Sequence, residues 1–111
     1  MDIVTAVKAL KEKFSVLGKS QVFEVKTNYY DKSGESVSLI LYEENGEAYL
    51  NDGAEVANGV GYDLNESELK TIAKAFGFYL DDWHITKKFE SVQDVKSFID
   101  LYLHIRANYY E

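Results

Sequence analysis

From Val37 to Leu50 apolar residues recur on both sides of a central Asn45-Gly46. That dipeptide supplies the positive φ needed at both centres of a type I′ turn, so the stretch predicts a β-hairpin. With Asn45 and Gly46 as the loop, Glu44 faces Glu47, Tyr42 faces Tyr49 and Leu41 faces Leu50. Leu39, Leu41 and Leu50 then share one face, which the rest of the chain is expected to cover.

Before this hairpin, Ile3, Val7, Leu10, Phe14 and Leu17 step by fours and threes after an acidic Asp2. The spacing predicts one amphipathic helix, capped by Asp2 and stopped at Gly18. Gln21 to Tyr30 alternates, with Phe23, Val25, Thr27 and Tyr29 on one side, and is expected to be a half-buried strand. Asp31 to Gly34 supplies turn chemistry, which joins this strand to the hairpin as an antiparallel meander. Ala54 to Asp63 has no sustained period and reads as a loop. Asn65 as cap, Glu68 three residues on and Leu64 before Leu69 mark a second helix, with Leu69, Ile72, Ala73 and Phe76 inward and Gly77 as its end. Phe78 to Leu80 and Trp83 to Phe89 predict a short second hairpin about Asp81-Asp82. Ser91 and Asp94 then open a last helix with an apolar face wider than one stripe, carrying Val92, Val95, Phe98, Ile99, Tyr102, Leu103, Ile105 and Arg106 and extended by Tyr109 and Tyr110. The expected fold is α+β, order α-β-β-β-α-β-β-α, one domain over residues 1–111, with helices packed on an antiparallel sheet. Its core is expected to gather Leu39, Leu41 and Leu50 with Phe23, Leu10, Phe14, Ile72, Phe76, Phe98 and Ile99.

Charge changes this picture more than composition does. The chain carries 12 basic and 19 acidic residues, net −7. That excess argues against duplex nucleic acid as a direct ligand, because the phosphate field repels it. Between Ser33 and Leu69 there is no Lys or Arg, while Glu35, Glu43, Glu44, Glu47, Asp52, Glu55, Asp63, Glu66 and Glu68 follow one another. Solvation of a sheet edge and loop accounts for such a run, and an acidic surface for a basic partner is the functional alternative. The absence of cysteine excludes disulfides and thiolate metal sites, and the lysine-bearing N-terminus is neither a signal peptide nor a membrane span, so a cytoplasmic protein is expected.

Candidate chemistry is sparse. His84 and His104 are the only histidines, and neither has a second ligand at metal spacing. Asp63, Asn65 and Ser67 imitate the start of a calcium loop, but Glu68 stands where glycine is required and Lys74 where the closing glutamate belongs, so no calcium site is assigned. Asp52 and the pair Asp81-Asp82 are carboxylates capable of acid–base work if buried, yet turn duty explains both. With no nucleophile elbow, phosphate loop or cysteine nucleophile, neither an enzyme nor a cofactor is expected. Aromatics make up 14% of the chain, nine of them tyrosine, a composition favoured at protein interfaces. In the adjacent pairs Tyr29-Tyr30 and Tyr109-Tyr110, one ring of each is expected inside and the other outside.

The segments YLNDG (Tyr49 to Gly53) and ELKTIAKAFGFYLDDWHITKKF (Glu68 to Phe89) resemble a small bacterial and phage family catalogued as a domain of unknown function, over roughly Val37 to Leu103. Asn51 departs from its pattern, as does Asp82-Trp83 where a turn glycine is usual. The resemblance implies a prophage or mobile-element context and carries over no catalytic residue. The element order is also similar to that of the small acidic dimeric chaperones of bacterial secretion systems, which implies pairing with a second copy. The sequence thus points to a non-enzymatic protein-binding module with a protein partner of basic character. Its candidate partner surface is Glu43, Glu44, Glu47, Tyr109 and Tyr110. The alternatives are an acidic dimeric chaperone, with the wide last helix as the homodimer contact, and, further off, a hydrolase built on Asp52, Asp63 and His84.

Overall fold

In the computed structural model, which describes residues 1–31, 33–59 and 61–109, Asn45 and Gly46 hold φ of 53° and 78°. The turn they form fixes the register of the strands on either side. Glu44 pairs with Glu47, Tyr42 with Tyr49 and Leu41 with Leu50, as the alternation requires. These strands, β3 (Ser36–Glu44) and β4 (Glu47–Asn51), sit at the centre of a six-stranded antiparallel sheet. The other strands are β1 (Ser15–Lys19), β2 (Val22–Tyr30), β5 (Tyr79–Asp81) and β6 (His84–Lys88), in the spatial order β1-β2-β3-β4-β6-β5. The helices are α1 (Ile3–Lys11), α2 (Glu55–Asn58), α3 (Glu66–Ala75) and α4 (Gln93–Tyr109). The fold is α+β, and no helix among the described residues is long and apolar enough to cross a membrane.

The two faces of the sheet differ. Val25, Leu39, Leu41, Leu50 and Ile85 on one face are fully buried beneath Leu10 of α1, Val56 of α2, Leu69 of α3 and Phe98, Leu101 and Ile105 of α4. Phe14, Phe23, Ile72 and Phe76 pack against this core from its margin. The other face takes the alternate residues. One continuous row of cross-strand partners runs Leu17, Glu24, Ile40, Asn51, Thr86 and Tyr79, from β1 to β5, and four of the six are apolar or aromatic or, like Thr86, fully covered.

The elements differ at three places from those expected of the sequence. The first helix, capped by the Asp2 carboxylate accepting from Thr5 N–H at 2.8 Å, ends at Lys11, and Ser15–Lys19 leaves the apolar stripe to become edge strand β1. Val16 and Leu17 suit either period, and pairing with β2 satisfies a full set of backbone groups that an exposed helical turn would leave to water. Gly18 therefore lies within a strand, opposite Phe23, at φ 134°. A Cβ there would stand 2.6 Å from the Val22 carbonyl oxygen. Gly18→Ala is expected to lower stability by about 1–2 kcal/mol, read as a shifted urea midpoint at unchanged slope, because both the φ and the backbone contact oppose it. The loop after Gly53 holds the single turn α2, and the second hairpin turns on Asp82-Trp83 (φ 49° and 67°) rather than on Asp81-Asp82. Both residues sit in the left-handed region that a type I′ turn demands, without a glycine to ease it.

The remaining signals have their physical basis on view. At α3, Asn65 accepts from Glu68 N–H and Glu68 accepts from Asn65 N–H. At its far end Phe78 N–H reaches the Ala73 carbonyl and Gly77 N–H that of Lys74, the paired bonds of a Schellman stop. Asp94, nearly buried, accepts from Glu90 and Ser91 N–H and lies 3.6 Å from Lys87 Nζ, tying β6 to the start of α4. The wide apolar face of α4 is consumed within the chain, since Val95, Phe98, Ile99, Leu101, Tyr102 and Ile105 are all buried. The reason for expecting a homodimer contact on that helix therefore falls away. Tyr29 and Tyr30 are both exposed, because the register shifts between Lys26 and Tyr30 and the strand end turns off the core face.

Candidate functional site

The end of the sheet where β2 turns into β3 carries the main cleft, of about 480 Å³. Its walls are Asp31, Ser33, Glu35 and Ser36 at the β2–β3 turn, Gly53, Glu55, Asn58 and Gly59 in and around α2, and Tyr102 and Arg106 one turn apart on α4. Asp31 Oδ1 accepts from Ser33 N–H, Ser33 Oγ–H and Glu35 N–H, at 2.9, 2.6 and 3.0 Å. These bonds, the Ser33 hydroxyl foremost, hold the Asp31 carboxyl below the ordinary carboxylate range. Glu55, in the opposite wall, is held above it, first by burial and then by Asp52, Asp31, Glu24 and Glu35. The cleft therefore gathers Asp31, Glu35 and Glu55 around one volume. Among the described residues Arg106 is the only cation that lines it.

Behind this wall stands Asp52, 2% exposed. Its Oδ1 accepts from Ile85 N–H at 2.8 Å and Ala54 N–H at 2.9 Å, and its Oδ2 from Val56 N–H at 3.1 Å. One carboxylate thus satisfies the exposed start of α2 and joins it to β6, a capping role that sets where Glu55 points. Burial pushes the Asp52 carboxyl up, against the pull of those three N–H groups and of His84. The neighbouring Asn51 accepts at its Oδ1 from Gly53 N–H (2.7 Å) and from His84 Nδ1 (2.9 Å). An amide oxygen only accepts, so His84 Nδ1 is the donor in that bond.

The three residues of the hydrolase reading are not assembled. Asp52 spends both oxygens on backbone donors, His84 is bonded to Asn51, and Asp63 lies exposed in the turn before α3. Among the described residues no three His, Asp or Glu side chains are placed to hold a metal ion. Asn65 and Ser67, noted for their likeness to a calcium loop, belong to the cap and first turn of α3. His104 is exposed on α4, its ring 5.7 Å from that of Phe76.

Of the partner surface expected from sequence, Glu43 is half-buried and Glu44 exposed at the hairpin tip, while Glu47 is occupied by the N-terminal ammonium and by Lys88 Nζ at 3.7 Å. Tyr109 is exposed beside Ser67, Thr71 and Ile72 of α3, and Tyr110 lies outside the described residues. The structure thus places Glu43, Glu44 and Glu47 together but far along the strands from the cleft. Tyr102 and Arg106, which the sequence offered only as a continuation of an apolar face, emerge as cleft residues. Their spacing of four was the one available signal. Compared with known protein families, with curated proteins and with solved structures, the chain matches none, and the likeness seen in Tyr49–Gly53 and Glu68–Phe89 stands on the sequence alone.

Proposed function

We propose that this chain is a non-enzymatic protein-binding module whose acidic cleft takes a basic side chain or segment of a protein partner. The observation that carries the reading is the convergence of Asp31, Glu35 and Glu55 on one cleft, where burial and four neighbouring carboxylates oppose the ionisation of Glu55. A cation entering the cleft relieves that repulsion and is attracted by the field the walls focus. Several other carboxylates in the acidic middle of the chain have other work, Glu47 in ion pairs, Glu66 beside Lys70, Glu68 in a capping box and Asp52 under backbone donors. Glu35 and Glu55, with Asp31 held by its own turn, converge on open volume. A mobile-element setting, which the family resemblance implies, would supply such partners among the basic nucleic-acid-binding proteins of a host.

The test uses a fluorescent oligolysine peptide and fluorescence anisotropy at low and high salt. Wild type is compared with Glu35→Gln/Glu55→Gln, with the hairpin-tip variant Glu43→Gln/Glu44→Gln/Glu47→Gln, and with Glu12→Gln/Asp63→Asn, which removes the same charge elsewhere as the cleft variant. The cleft variant is expected to bind about tenfold more weakly, with the charge-matched control within about twofold of wild type. Affinity should also rise with pH as Glu55 ionises. Equal weakening in cleft variant and control would reduce the binding to bulk charge and end this reading.

A further inference from the structure

Among the described residues no helix lies over the sheet face opposite the core. Leu17 is 52% exposed there, Val22 59%, Ile40 38% and Tyr79 49%, and Tyr42 and Tyr49 stack at 5.7 Å between them. Exposed apolar side chains gathered on one face and interspersed with charge mark an interaction site. Its charges are nearly balanced, three lysines (Lys19, Lys26, Lys88) against four carboxylates (Glu24, Glu44, Glu47, Asp81), although the chain as a whole stands at −7. The acidic excess lies elsewhere, so an identical chain can approach this face without the repulsion that net charge imposes on the others.

We propose that the open face packs against the same face of a second copy of this chain, about a two-fold axis parallel to the strands and between β3 and β4. The register determines what meets what. Rotation about that axis lays β3 over β4 of the partner subunit, β2 over its β6 and β1 over its β5. Tyr42 then lies over Tyr49 of the partner subunit, and Leu17 over Tyr79 of the partner subunit. Lys26 comes beside Asp81 of the partner subunit, and Glu24 within reach of Lys88 of the partner subunit. The perpendicular two-fold places Tyr42 over Ser38 of the partner subunit and Lys88 over His84 of the partner subunit, and it sets Glu24 against Glu24 of the partner subunit, like charge on like. The angle of about 30° at which packed sheets cross carries the acidic hairpin tips, Glu44 and Glu47, away from one another. This arrangement leaves the acidic cleft free and does not depend on its role.

Sedimentation equilibrium of the full chain tests it. Wild type is expected to be dimeric at tens of micromolar. Ile40→Lys and Lys26→Glu, both outward and leaving circular dichroism unchanged, are each expected to weaken the dimer about tenfold or more. The exchange Lys26→Glu/Asp81→Lys is expected to restore it, because the charges meet across the axis. A wild-type chain that stays monomeric throughout overturns the proposal. So does a dimer that neither single substitution disturbs, or a charge exchange that fails to recover what Lys26→Glu loses.

Discussion

Leu41→Ala is expected to lower the unfolding free energy by about 2–5 kcal/mol, a large share of what holds a domain of this size together. Leu41 has no exposed surface and sits between Phe23 and Leu50 in the pairing of β2, β3 and β4, under α1. Truncation there removes apolar burial and leaves a void that three strands cannot close without giving up their ladder bonds. The check is urea unfolding followed by far-UV circular dichroism. A midpoint within error of wild type would mean that Leu41 does not lie at the centre of the core. The same substitution at Leu17, on the opposite face, is the natural comparison and should change the monomer's stability little.

Asp52→Ala is expected to cost as much through a different mechanism. Val56 and Ile85 are fully buried, and with Ala54 their N–H groups have the Asp52 carboxylate as acceptor. A buried donor stripped of its partner costs about 1–3 kcal/mol, so two or three together come to at least about 2 kcal/mol. Asp52→Asn keeps one oxygen and turns an amide toward Val56 N–H, donor against donor, and should fall between. The pH dependence separates this from a packing defect. Because burial raises the Asp52 carboxyl above its ordinary value, the native chain holds that proton over a window in which the unfolded chain has released it. Its contribution to stability is complete below that window and declines as pH rises through it. The gap between wild type and Asp52→Asn should therefore narrow from acid to neutral pH in a series of urea titrations. A gap that widens would show that the carboxylate is favoured by folding after all.

How much of this was legible in the sequence depends on whether the deciding interaction was local. Asn45-Gly46 sets the β3–β4 register with four neighbouring residues, and Asn65 with Glu68 caps α3 within one turn; both could be read directly. The end of α1 could not. Phe14 and Leu17 continue the helical stripe, and only β2, which lies later in the chain, draws Ser15–Lys19 into the sheet. The cleft was beyond reach for the same reason. Asp31 and Glu35 come from one turn, Glu55 from a four-residue helix in a segment without period, and Arg106 from the last helix. Asp52 was identified as a turn residue, which it is, but its third acceptor contact spans 33 positions to Ile85. The breadth of the α4 face suggested a partner chain because its cover, α3 and the sheet, could not be placed beforehand.

The turn at Asn45-Gly46 bears on misfolding as well as on shape. Along β3 the run Leu39, Ile40, Leu41, Tyr42 is apolar on both faces, so hydrophobicity alone barely distinguishes the native hairpin from one slipped by a single residue. A slipped strand would bury Ile40 and Tyr42 and turn Leu39 and Leu41 out to water. What forbids it is a backbone with φ of 78° at a glycine whose surroundings are otherwise empty. Gly46 thus acts as a registration pin. Any larger residue there fits in space but not in torsion, and the chain that escapes the strain by slipping displays a flat leucine surface suited to stacking strand on strand into aggregates.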